Sequence, residues 1–330
     1  MTRQVLVPLE LSPVQPPQGA VRTLRGLTMG TSWTVRIVAS DAAPIDRLGA
    51  GIQRQLDRVV DQMSTWEPGS ALSRFNATVG EWRTLPFELF TVLDHALALA
   101  EESGGAYDPT TGPLVNLWGF GPEGSRRDPP DRQAILTTRA RIGWNRIELD
   151  RATGRARQPG GCYVDLSGIA KGYAVDLVGD WLREQGISDF LVEVGGELLG
   201  AGVKPNGQPW WVALEAPPGA GAIPESLVAL HGLSAATSGD YRKFFESDGL
   251  RFSHTLDPRT GHPVANGLAS VTVLHPRCML ADAMATALTV MGPREGFDFA
   301  RARGIAARFL VRTADNFHQR MTPALAAMLD

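Results

Sequence analysis

The chain has 330 residues, 43% hydrophobic and 20% charged, an ordinary globular mixture able to bury a sizeable core. Its formal net charge is only −3 at pH 7 and its basic residues are scattered, which argues against nucleic acid or an acidic membrane as partner. Two cysteines, Cys162 and Cys278, supply neither a disulfide framework nor a Cys-x-x-Cys metal pair; each lies in or beside an apolar run, which reads as inert burial, with a bond between them left open.

The segment from Met1 to Gly19 is polar and proline-rich (Pro8, Pro13, Pro16, Pro17). It reads as a flexible leader over residues 1–20, ahead of one folded domain over residues 21–330. It lacks the basic start, apolar stretch and cleavage site of a secretory signal, and any cysteine that could carry lipid. No run approaches the ~20 apolar residues that span a bilayer, so the expectation is a soluble, cytoplasmic protein.

Ser32–Val38 alternates like a half-buried strand. A helix follows from Ile45 to Met63 with Ile52, Leu56, Val59 and Val60 as its apolar stripe, then a second helix near Phe87–Ser103, closed by Gly104-Gly105. The stretch Gly121–Pro130 is the most loop-like interior segment, and a short helix comes after it. Strands are predicted around Ile147–Leu149 and Gly161–Leu166, then a helix over Ala170–Gln185. Phe190–Val194 and Leu198–Gly202 flank Gly195-Gly196 as a hairpin. Strands near Trp210–Leu214, Leu227–Leu230, Val271–Leu274 and Ala306–Val311, with a helix over Leu280–Met291, complete the pattern. Helices and antiparallel hairpins are mixed rather than alternating, so the fold class is α+β.

Chemistry concentrates in a few places. Val164–Asp176 carries an extended run into Ser167-Gly168 and then a helix with Lys171 in its first turn, which aims backbone donors and an ammonium at one spot suited to an anion. An ordinary strand-to-helix turn, with Ser167 as cap, reads equally well. In the otherwise apolar helix Leu280–Leu288, Asp282 and Thr286 stand at i and i+4 on one face. Together they suit a hard cation such as magnesium; alternatively, Asp282 caps the helix and Thr286 bonds back to the main chain. His254 sits where a strand meets a tight turn and can take a proton near neutrality, or serve structure alone. Trp66 could stack on a flat heterocycle or pack in the core, and Thr237–Arg242 is a flexible cradle or a surface turn.

These fragments occur in one order: Met29-Gly30-Thr31, Met63-Ser64-Thr65, Ser70–Asn76, Gly105–Pro109, Asn116–Phe120, Asp165–Gly172, Val194–Gly196, Ala236–Tyr241, His254–Pro258 and Ala281–Ala283. The series resembles the ApbE family of FAD:protein FMN transferases from about Thr28 to Leu310. The resemblance implies one α+β domain of mixed antiparallel sheets and flanking helices, related to the T-fold, with FAD in a cleft between two lobes. It implies transfer of the FMN half of FAD to a Ser/Thr hydroxyl of an acceptor flavoprotein or redox subunit, with release of AMP. It further implies Mg2+ held by the Ala170 carbonyl, Asp282 and Thr286, with Lys171 neutralising the diphosphate and His254 as base. Met29, Trp66, Tyr107, Asp108, Asp165, Lys171, Gly195, Gly196 and His254 would line the flavin and adenosine sites. Trp66, Ser167 and Ala71 depart from the family's usual residues, and the family's common export signal is missing. Two other functions compete: a magnesium-dependent FAD pyrophosphatase, and a flavin-binding protein without catalysis.

Overall fold

The computed structural model describes residues 3–9, 15–221, 223–314 and 316–330. Its centre is an eight-stranded sheet in which every neighbouring pair is antiparallel. From one edge to the other run Phe317–Met321, Ala306–Arg312, Leu268–His275, Leu233–Gly239, Glu197–Ala201, Phe190–Val194, Thr31–Ala39 and Ala20–Thr28. Both faces of the central strands are covered, which is why Leu268–His275 is buried along almost its whole length.

Val271 and Val273 pack with Ala281, Ala285 and Leu288 of the helix Cys278–Ala302. On the same face, Trp33, Val35 and Ile37 pack with Ile52, Leu56 and Val59 of Ile45–Met63, and with Ala174, Val175 and Val178 of Ala170–Glu184. The alternate residues, such as Leu191 and Leu274, meet Trp210, Val228 and Leu325 beneath a second sheet. That sheet joins Arg3–Leu6, Glu225–Leu230 and Trp210–Ala213. The fold is α+β, with helices on one face of the main sheet and a smaller sheet on the other.

Several expectations need correction. Arg3–Leu6 is not a loose leader: it pairs in parallel with Glu225–Val228, and Leu6 is fully buried. Residues 1, 2 and 10–14 of the expected flexible segment lie outside the described residues. Gly161–Leu166 makes no ladder beyond a single bridge between Tyr163 and Thr111. Its extended backbone is clamped instead by Asn76, whose side chain accepts from the Val164 N–H (2.8 Å) and donates to its carbonyl (2.9 Å). The helix predicted over Leu280–Met291 starts at Cys278 and runs to Ala302 across a kink at Gly292, where Pro293 follows. The supposed flexible cradle at Thr237–Gly239 is part of a central strand. Both cysteines are buried and unpaired. Among the described residues, no helix is long and apolar enough to cross a membrane.

Candidate active site

The helices Ala170–Glu184 and Cys278–Ala302 cross closely because Gly172 lies at the contact. A methyl group there would sit 2.4 Å from the Cys278 carbonyl and 2.8 Å from the Asp282 Cβ. Asp176 then reaches across to cap the second helix. Its carboxylate accepts the N–H groups of Cys278 (2.9 Å) and Met279 (3.0 Å), and Arg277 pairs with it at 3.3 Å. Asp282 is thereby released from capping. It stands one turn inside its helix, 6% exposed, with Oδ2 accepting the Gly172 N–H at 3.0 Å. Burial raises its carboxyl from the ordinary range, opposed by Lys171 and by that N–H.

Thr286 does not bond back to its own helix among the described residues; Thr289 does, to the Ala285 carbonyl at 2.8 Å. The Thr286 hydroxyl faces Gly168, where a methyl would lie 3.2 Å from it and 3.5 Å from the Tyr107 ring. Ser167 is no cap either, since both its N–H (2.8 Å) and its hydroxyl donate to Asp165. The residue before the helix, Ile169, offers no side-chain cap; Asp282 takes the Gly172 N–H of the first turn instead, and the Ala170 N–H bonds the Leu166 carbonyl at 2.8 Å. Tyr107 is 4% exposed and its hydroxyl has no partner among the described residues. Burial, then Asp282, Asp165 and Asp108, hold that hydroxyl well above the usual phenol range, so it remains a donor.

Lys171 pairs with Glu197, which is 2% exposed and follows the Gly195-Gly196 turn. Burial works against the ammonium, but Asp282 and Glu197 outweigh it and the lysine titrates above its ordinary value. Burial pushes the Glu197 carboxyl up to about 7. The hairpin turn needs glycine at both positions, with φ of 61° and 105°. A methyl on Gly195 would press on Thr31 at 2.9 Å, which brings the turn at Met29-Gly30 alongside. Met29 holds φ at 49°, an uncommon conformation for a residue with a side chain.

His254 follows a hairpin of Phe244–Ser247 and Leu250–Ser253 that is seated on aromatic rings: Phe245 and Phe252 stack on Trp118 at 6.4 and 5.6 Å between centroids. Its Nδ1 bonds the Lys243 carbonyl at 3.1 Å; a carbonyl only accepts, so Nδ1 carries the proton and Nε2 is left as the basic nitrogen. Burial, helped by the Lys243 and Lys171 charges, lowers the ring to about 4.

The remaining predicted residues are placed differently. Asp108 is consumed locally, accepting from the Thr110 N–H (2.8 Å) and hydroxyl (2.7 Å) and from the Trp144 N–H (3.1 Å). Trp66 is not in the core; it is 62% exposed, next to Thr65, whose carbonyl accepts from the Tyr163 hydroxyl at 3.4 Å.

The model of the ApbE family matches residues 29–309. The chain belongs to the ApbE family. It is 41% identical to the FAD:protein FMN transferase of Vibrio cholerae over 298 residues, covering 90% of this chain and 89% of that one. The transferase of the same name from Klebsiella pneumoniae is 37% identical over 318 residues, with 95% and 91% covered. Among solved structures, the apo flavinyl transferase ApbE of Pseudomonas stutzeri aligns with TM-score 0.87 and 38% identity over 96% of this chain and 98% of that one. The flavin transferase ApbE of Vibrio cholerae aligns with TM-score 0.88 and 38% identity, covering 94% and 100%.

Within this ApbE-family chain, the residues that sequence reasoning missed are Glu197 and Asp176. Glu197 had a usable signal, an acid directly after a Gly-Gly turn between apolar strands. Asp176 had a weaker one, an acid amid the apolar stripe of its helix.

Proposed function

We propose that this protein transfers the FMN half of FAD onto a Ser or Thr hydroxyl of an acceptor flavoprotein, releasing AMP. The observation that carries the reading is a buried carboxylate, Asp282, freed by Asp176 from capping its own helix and set beside Lys171, Thr286 and the first turn of Ala170–Glu184. Family membership supports the same chemistry.

The donor set fits magnesium. One carboxylate, one hydroxyl and the Ala170 carbonyl are oxygen donors too few for a closed protein cage, which matches an ion that keeps positions for water and phosphate. Among the described residues no cluster of three His, Cys, Asp or Glu competes as a metal site. Asp282, Thr286 and Ala170 would hold the ion, and what it supplies when bound is neutralisation of the diphosphate and of the departing AMP.

This chain's own groups account for the rest. Lys171 adds a fixed positive charge at the diphosphate, and Tyr107 offers an unspent hydroxyl donor in the same place. Asp108 locks the turn that carries Tyr107, and Asp165 shapes the loop into the helix start. Met29, Gly195 and Gly196 would line the flavin site, with Gly195 packed against Thr31 and Gly196 against Arg242, and exposed Trp66 offers a stacking surface. The acceptor oxygen forms a bond to the phosphorus of the FMN half while the anhydride P–O bond to AMP breaks. The hydroxyl proton passes to Nε2 of His254, which is neutral and able to receive it.

Mass spectrometry of a candidate acceptor after incubation with this protein, FAD and magnesium tests the reading. The expected result is a mass gain matching covalent FMN, with AMP released and both abolished by EDTA. Free FMN and AMP without labelling, on an acceptor competent with a known transferase, would replace it with a pyrophosphatase. Intact FAD would replace it with a binding protein.

A further inference from the structure

By strand alternation Glu197 faces the helix side of the main sheet, in line with Leu199 and Ala201, which are buried in the core there. Such a position is ordinarily apolar, and an acid in it is costly unless it is paired. Glu197 is 2% exposed, and its Oε2, 3.6 Å from where a methyl on Gly195 would stand, has no partner among the described residues. Its Oε1 accepts from Lys171, and no other base pairs with it among the described residues. Arg242, the other base whose field reaches it, spends its guanidinium on Glu215 and on the Gly195 carbonyl.

Lys171 stands between two acids. It directly precedes Gly172, whose N–H binds Asp282 Oδ2 at 3.0 Å, and the field of Asp282 reaches the ammonium as well as that of Glu197. Yet the ammonium pairs with Glu197 and makes no ion pair with Asp282 among the described residues. A lysine has a flexible stem and three rotatable donors, so nothing in its own chemistry selects one carboxylate over the other. The selection comes from Glu197, whose carboxylate has no second partner to serve. Removing one member of a buried pair leaves the other charge uncompensated. Deprived of Glu197, the Lys171 ammonium would turn to Asp282, the other acid whose field it feels.

We propose that Glu197 is a positioning residue: it holds the Lys171 ammonium off Asp282, so that the carboxylate stays open to a cation while the ammonium faces the diphosphate. The inference deepens the transfer reading, from which it takes the roles of Asp282 and Lys171. Glu197 is too buried to touch a substrate; it acts through the Lys171 side chain, which is 31% exposed.

The first readout needs neither FAD nor transfer, so a chain that failed to move FMN would still answer it. In a crystal structure of the full chain carrying Glu197→Gln, grown without metal, the Lys171 ammonium is expected within about 4 Å of an Asp282 oxygen, the reach of an ion pair. An ammonium still on residue 197, or turned to solvent with Asp282 unpaired, would overturn the proposal. The second readout is the magnesium midpoint of FMN transfer. It should rise about tenfold in Glu197→Gln, the lower end of what the loss of a supporting residue costs a metal site. In a Lys171→Met background the same change should leave the midpoint where Lys171→Met sets it. An unchanged midpoint in Glu197→Gln, or a further tenfold rise in the Lys171→Met background, would overturn the proposal. Should Glu197→Gln alone not fold, the double variant, which removes both buried charges together, decides against Lys171→Met by the same comparison.

Discussion

At His254 the two ring nitrogens have separate duties: Nδ1 is fixed on the Lys243 carbonyl, and Nε2 is free to take a proton. Burial lowers the ring to about 4, so the neutral base persists far below the ordinary histidine range. Glu197 titrates at about 7 beside Lys171, so a kcat/KM profile that changes there should show a separate fall with an apparent pKa near 4 from His254. A limb at 6.5 that persists in Glu197→Gln, with none near 4, would show that the ring is not held in this way. Stability carries the same sign. The depressed value contributes stability present above the unfolded pKa, and that contribution is lost as pH falls through about 4. Lys171, Asp282 and His254 were legible because each is a polar exception in an apolar or turn-rich pattern. Arg308, buried in the strand Ala306–Arg312, was not, since a charged residue alternating in a strand reads as solvent-facing until a second sheet is known to cover that face.

The decisive element is the pair of crossed helices, held together by the absence of a side chain at Gly172 and by the Asp176 cap. Gly172→Ala forces a methyl into the Cys278 carbonyl, an overpacking cost of about 1–3 kcal/mol. Because Asp282 accepts the Gly172 N–H, the same change should raise the magnesium needed for half-maximal transfer. Denaturant unfolding and a magnesium titration read the two effects; a variant with wild-type stability and metal response would dissolve the coupling. Sequence periodicity located both helices to within a few residues, apart from the second helix's run beyond its Gly292-Pro293 kink. Their crossing was hidden, because nothing local tells an acid in one helix that it caps another about a hundred residues away.

Across the whole molecule the chain ends are stitched together. Val7 donates to the Met328 carbonyl at 2.7 Å, Asp330 donates to the Val5 carbonyl at 3.1 Å, and Leu6 is buried with Trp210 and Leu325. Leu6→Ala should therefore cost about 2–5 kcal/mol, read as a lower melting midpoint; an unchanged midpoint would return this segment to the status of a loose leader. Four residues that pair with a strand more than two hundred positions away leave no local periodicity to read. The hairpins and the α+β class were legible because their signals are local, whereas the order of the eight strands was not.

The central claim is that Asp282 and its neighbours hold the cation on which transfer depends. Its most direct test is FMN transfer by Asp282→Asn, measured against wild type across a magnesium titration with FAD binding monitored in parallel. The account predicts that transfer falls by at least two orders of magnitude and that its magnesium midpoint moves upward, while FAD still binds. Transfer at the wild-type rate, with the wild-type magnesium midpoint, would contradict it.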